Sequence, residues 1–402
     1  MQRRHFLAQS ATALTGTIYP LLAQAEKRYD PGASDTEIRI GQTMPYSGPL
    51  SAYATIGRVE AAYFKKINDE GGVNGRKINF ISLDDAYNPS KTVEAVHRLV
   101  ESDEVLLIFG SLGTPTNLAV AKYLGDRNVP LLFLSTGGSM WADPHKYPWA
   151  MGWSPTYYNE GRIFATHILQ TRPTAKIAIL SQNDDTGRDY VNGFKEGLGD
   201  KRQLIVAEAS YEVSEPTIDS QILQLRAAGA DVLFDQTTPK FAAQVIRKLA
   251  DIGWKPVHYL NGISASIGSV LVPAGLDNAV GVISTIYQKD VTDPGMAADP
   301  AVQTWLAFMR KYYPSGNLLD GSNAAGYLLA QTIVQVLKQC GDDLSHENVM
   351  RQAANLKDLE LDLLMSGVKI NTSATNYAPI KGVRLRRFDG KKWVVFGDIL
   401  GQ

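Results

Sequence analysis

Short apolar runs alternate with amphipathic stretches along most of the chain from Thr36 onward. Ile38-Arg39-Ile40-Gly41, Ile78 to Leu83, Val105 to Phe109 and Leu131 to Leu134 are too short for helices and rich in branched and aromatic residues, so they read as strands. Between them, apolar residues at helical spacing predict helices from about Ala52 to Asp69, Pro89 to Ser102 and Thr116 to Asn128. The first of these stops at Glu70-Gly71-Gly72, where glycine can take the left-handed cap conformation. Strands alternating with helices predict an α/β fold whose parallel sheet is covered on both faces.

The pattern then restarts. Lys176 to Leu180, Ile205 to Ala207, Asp231 to Phe234 and Val257 to Leu260 read as strands, with helical stretches around Tyr190 to Gly197, Ser220 to Ala228 and Lys240 to Gly253. A strand from Val280 to Tyr287 and two long helices, Pro300 to Tyr313 and Ser322 to Gly341, come next. Val383 to Phe388 and Trp393 to Phe396, joined through Asp389-Gly390, predict a β-hairpin. A chain of 402 residues, 44% hydrophobic, exceeds what one compact core holds, so two Rossmann-like lobes and a cleft between them are expected.

Charge narrows the partners. Lys and Arg number 40 against 41 Asp and Glu, and the one basic cluster is Arg384-Leu385-Arg386-Arg387, so nothing attracts a nucleic acid or an anionic membrane. Arg3-Arg4-His5-Phe6-Leu7, a moderately apolar run to Leu22 and Ala23-Gln24-Ala25 together form an export signal over residues 1–25. Its paired arginines resemble a twin-arginine leader, although Gln2 stands where Ser or Thr is usual. Cleavage before Glu26 would leave residues 26–36 as a polar linker, no membrane insertion and a periplasmic protein. The single cysteine, Cys340, rules out an intramolecular disulfide.

Candidate chemistry belongs beyond the carboxyl ends of the strands, where loops and helix N-termini converge. Gly110-Ser111-Leu112-Gly113-Thr114-Pro115-Thr116 and Ser135-Thr136-Gly137-Gly138-Ser139 fall there, and their small hydroxyl-bearing residues suit an anion cradle as well as they suit ordinary loops. Neither ends in the Gly-Lys-Ser/Thr of a phosphate loop, and the histidines show no metal-ligand spacing, so no cofactor or metal is expected. Asp84-Asp85 reads as a turn cap. Gly262-Ile263-Ser264-Ala265-Ser266 is the one segment resembling a nucleophile elbow, but Ser266 replaces its second glycine and only His346 follows, so a serine hydrolase is disfavoured.

Ser47-Gly48-Pro49, Ile67 to Gly75 (INDEGGVNG) and Asp84 to Pro89 (DDAYNP), together with the two hydroxyl loops, resemble the leucine/isoleucine/valine-binding family of type I periplasmic binding proteins. The resemblance implies a non-enzymatic solute-binding protein of an ABC importer, a monomer, closing around a small ligand and presenting it to permease subunits. A ligand-sensing receptor coupled to a regulator is the alternative. It further implies lobe I from 37–155 and 288–366, lobe II from 156–287 and 367–402, and three crossings near Pro155, Tyr287 and Gly367.

By the same resemblance, Thr114, the Gly137 backbone and Ser139 would hold a ligand carboxylate and Tyr53 would lie beside it. Tyr157, Tyr158 and Thr237 would face the cleft from lobe II. The family's cysteine pair falls at Tyr87 and Gly113, so that disulfide is absent. The acid that receives an amino acid's ammonium would fall at Asn261 or Gly262, and Thr186-Gly187 replaces a Tyr-Gly. Asp184, Asp185 or Asp235 could substitute. Without that acid a buried ammonium lacks its partner, so the expected ligand is an amino acid or an aromatic or aliphatic organic acid.

Overall fold

The computed structural model describes residues 27–401; the leader expected at residues 1–25 lies outside them. After a short β1 (Arg28–Tyr29), β2 (Glu37–Met44) and β3 (Lys77–Asp84) pair in parallel over their whole length, from Glu37 opposite Lys77 to Met44 opposite Asp84. Helix α1 (Ala54–Asp69) connects them and ends where expected: Gly72 has φ 84°, and a Cβ there would lie 2.1 Å from the Arg76 carbonyl oxygen. Helix α2 (Pro89–Glu101) starts at Asn88, whose side chain accepts from the amides of Ser90 and Lys91. The run β4 (Leu107–Phe109), α3 (Thr114–Asp126), β5 (Leu131–Leu134) and β6 (Ala150–Gly152) completes a five-stranded parallel sheet of order β3-β2-β4-β5-β6.

The second sheet follows. Helix α4 (Tyr157–Thr171) leads to β7 (Ile177–Gln182), α5 (Asp185–Leu198), β8 (Ile205–Tyr211), α6 (Asp219–Ala227), β9 (Val232–Gln236), α7 (Pro239–Asp251), β10 (Val257–Leu260), the single turn α8 (Val272–Ala274) and β11 (Ile283–Ile286). Helices α9 (Pro300–Tyr312) and α10 (Ser322–Cys340), β12 (Asp343–Leu344) paired with β1, and α11 (His346–Ala353) come between β11 and the hairpin β13 (Val383–Phe388) and β14 (Trp393–Leu400). The hairpin adds antiparallel beside β11, giving the order β14-β13-β11-β10-β9-β7-β8. This edge is the one departure from an all-parallel reading.

Packing assigns the late helices to the first sheet. Trp305, Phe308, Leu328 and Ile333 share a buried cluster with Ile38, Ile40 and Phe64, and Tyr63 of α1 meets Phe308 and Tyr327 edge-on at 5.9 and 5.0 Å. The chain therefore passes between the sheets three times: after β6, after β11 and ahead of β13. The second crossing lies against the run before the third, with Lys289 N donating to Leu363 O (2.7 Å) and Met365 N to Tyr287 O (3.1 Å). Six elements escaped the sequence reading: the two-residue β1 and β12, β6, which is only three residues long, the single turn α8, and the helices α4 and α11.

Candidate functional site in the interlobe cavity

The strand ends of the two sheets face one another and enclose a cavity of about 150 Å³. Leu50, Tyr53, Ile56 and Leu112 line it from the first lobe, and Tyr157, Thr186, Thr238 and Ile263 from the second. Direct contacts hold the lobes together around it. Tyr53 Oη donates to Ile263 O (3.2 Å), Tyr157 N to Gly137 O (2.7 Å), and Ser139 gives its amide (2.8 Å) and hydroxyl (2.5 Å) to the Asp189 carboxylate.

Of the residues expected at the ligand, Tyr53, Tyr157 and Thr186 line the cavity. Tyr157 stacks on Tyr190 with centroids 4.4 Å apart, and burial pushes its phenol up to about 12. The rest stand behind the wall. Thr114 is fully buried with its hydroxyl 2.6 Å from that of Thr136. Gly137 and Ser139 are spent on the contacts across the cleft just described. Thr237 and Asn261 brace the loop after β10: Thr237 O accepts from Asn261 Nδ2 (2.9 Å) and Ser264 Oγ (2.6 Å), and Asn261 Oδ1 accepts from Ser264 N (2.9 Å).

The two hydroxyl loops still reach the cavity, through Gly113 and Ser135, and the Ser135 hydroxyl is buried without a hydrogen-bond partner. Tyr158 points to Glu196 on the outer surface. Asp84 and Asp85 cap their turn, accepting from the amides of Ser47, Ala86 and Tyr87.

None of the acids suggested as an ammonium partner lines the cavity. Asp184 caps α5 through the Gly187 amide, Asp185 pairs with Arg188 (2.8 Å), and Asp235 bonds His258 Nε2 (2.8 Å). Glu160, in the first turn of α4, does line it, accepting from Gly262 N (2.7 Å), Thr285 Oγ1 (2.8 Å) and Tyr190 Oη (3.0 Å). A carboxylate thus reaches the Asn261-Gly262 loop from another element. Burial raises its pKa against those three donors. Arg386, from β13, and Lys289 and Asp290, after β11, are the other charged lining residues missed. The signal for Glu160 was helical periodicity in Tyr157, Gly161, Phe164 and Ile168; for Arg386 it was an arginine at a core position of a predicted strand.

A parallel two-sheet molecule with a closed cleft at its strand ends is the architecture of a solute-binding protein. Residues 37–392 match the family model described as "Periplasmic binding protein", and the chain belongs to that family. An alignment of 415 residues, 98% of this chain and 97% of the relative, is 23% identical to the Leu/Ile/Val-binding protein homolog 7 of Brucella abortus. Among solved structures, the branched chain amino acid ABC transporter of Thermus thermophilus with bound valine is similar at a TM-score of 0.82, 18% identical, over 91% of this chain and 97% of that one. The solute binding protein of an ABC transporter from R. palustris, in complex with 4-hydroxybenzoate, is similar at 0.75, 20% identical, over 90% and 97%. Among the described residues no helix is long and apolar enough to cross a membrane.

Proposed function

We propose that this chain is the periplasmic solute-binding component of an ABC importer, exported by its leader and monomeric, which captures a small carboxylate-bearing ligand and presents it to permease subunits. The observation that carries this reading is a cavity walled by both lobes and shut by hydrogen bonds that run from one lobe to the other. A ligand that touches both walls binds the shut form better than the open one and shifts the population by that difference in affinity. In this reading the moving bodies are 37–155 with 288–366 and 156–287 with the hairpin at the chain's end; the run 367–380, expected in the second body, packs in the first lobe's core through Val368, Ile370 and Ile380, and the three crossings are the hinge. Tyr53, Tyr157 and Thr186 touch the ligand, while Thr114, Gly137, Ser139, Thr237 and Asn261 hold the loops that surround it. No bond is made or broken: the Ser264 hydroxyl is engaged by the Thr237 carbonyl.

The ligand class follows from the lining. Tyrosine and aliphatic side chains dominate, with a few hydroxyls and amides and the charged Glu160, Lys289, Asp290 and Arg386, which suits an aromatic or aliphatic acid or an amino acid with an apolar side chain. The relatives noted above carry valine and 4-hydroxybenzoate, one from each class. A thermal-shift screen of amino acids, benzoates and aliphatic acids tests the proposal. A stabilising hit at micromolar concentration with no turnover supports it; a melting temperature indifferent to every acid would remove it.

A further inference from the structure

Arg386 lies in the middle of β13, is only 8% exposed, and lines the cavity with its guanidinium 4.4 Å from the Trp393 ring centroid. Its side chain makes no hydrogen bond or ion pair within the described residues, and its Nε is buried without a partner. The carboxylates nearest in charge, Asp290 and Glu160, do not pair with it. Glu160 is occupied by Gly262, Thr285 and Tyr190; Asp290 Oδ1 is held by Thr292, and its Oδ2 is buried without a hydrogen bond and does not reach the guanidinium. A buried cation whose N–H donors face no directly paired carboxylate is costly for a fold to carry. Meanwhile the first lobe's expected anion cradle is filled: Ser139 spends both its donors on the protein's own Asp189.

We propose that Arg386 is the charge partner of the ligand, taking its carboxylate side by side on the guanidinium edge against Trp393, with the apolar body extending toward Tyr53 and Tyr157. A planar guanidinium offers two parallel N–H donors to a carboxylate, which a point charge does not, and it stacks on an indole without losing them. The Ser135 hydroxyl, unpartnered on the opposite wall, receives the polar group at the far end. The proposal rests on the solute-capture reading and deepens it. It makes the ligand an anion held from the second lobe's hinge strand rather than from the first lobe's loops.

The test compares acids with their amides. L-Valine, isovalerate and 4-hydroxybenzoate, each with its primary amide, are titrated calorimetrically into the wild-type protein, Arg386→Gln and Arg386→Lys. The wild type should bind at least one acid more tightly than its amide by about 30-fold or more; Arg386→Gln should abolish that preference while leaving the amide's affinity within about two-fold, and Arg386→Lys should restore part of it. The ligand-free Arg386→Gln protein should melt no lower than wild type, because the uncompensated charge is gone. Acid and amide losing affinity equally in Arg386→Gln would overturn the proposal in favour of a structural role beside Asp290. An unchanged acid-to-amide ratio would overturn it outright. No binding of any probe to the wild type would instead overturn the solute-capture reading beneath it.

Discussion

Asp189 is where the protein's own chemistry stands in for a ligand's. Its carboxylate takes the amide and hydroxyl of Ser139 across the cleft, in the loop where a bound carboxylate was expected. Burial raises its pKa, and the Ser139 hydrogen bonds only partly pull it back. A carboxyl whose pKa is higher in the shut form binds protons more readily there than in the open or unfolded chain. That stabilisation is full below the ordinary aspartate pKa and is lost as pH rises through the raised value. Ligand affinity should therefore weaken as pH rises through that raised value by a share that Asp189→Asn removes, as calorimetry over a pH series will show. Ser139→Ala strips the hydroxyl donor and should cost about 1 kcal/mol of closure, read as a several-fold loss of affinity with little change in the melting temperature of the ligand-free protein.

At this scale the sequence shows its reach and its limit. Tyr53, Tyr157 and Thr186 were legible: they reach the cavity wall from helical turns at positions the family resemblance pointed to. Glu160 and Arg386 were not, because a charged residue in a helix or strand is read as facing water until its neighbours are known. Cys340 is legible either way: it is buried, and burial pushes its thiol up to about 12.

Among the elements, β2, β3, α1 and α2 could be read off the chain because apolar spacing and end signals agree there, with Asn88 and Gly72 marking the ends. β6 is too short to carry a period, and α11 has one turn of apolar residues behind its Ser345 cap. Helix α4 carries a fair period but sits directly after a lobe crossing, and the sequence reading assigned no element there. Its packing on α5 is the tightest junction near the cavity. A Cβ on Gly193 would lie 1.9 Å from the Tyr158 carbonyl oxygen, and one on Gly161 2.4 Å from that of Tyr190. Those glycines let the helices approach closely enough for Tyr157 to stack on Tyr190. Gly193→Ala must push them apart and should destabilise the protein by about 1–3 kcal/mol in a denaturant melt, with ligand affinity falling as the Tyr157 ring loses its support.

For the whole molecule, the decisive feature is that each lobe has its own buried core while the ties between the lobes are polar contacts outside those cores. Ile38, Trp305 and Leu328 belong to one core, Phe164, Phe194 and Phe234 to another. The ties across the cleft include hydrogen bonds from Tyr53, Tyr157, Ser139, Tyr87, Ser266 and Gly268 and the ion pair of Lys392 with Asp293. Such ties can open without exposing either core, which is what hinge motion requires. Small-angle X-ray scattering on the leader-free protein, with and without the acid that stabilises it most, tests this directly. The account predicts that the ligand-free protein is more extended and that its radius of gyration falls on binding. Identical scattering curves in the two states would contradict it.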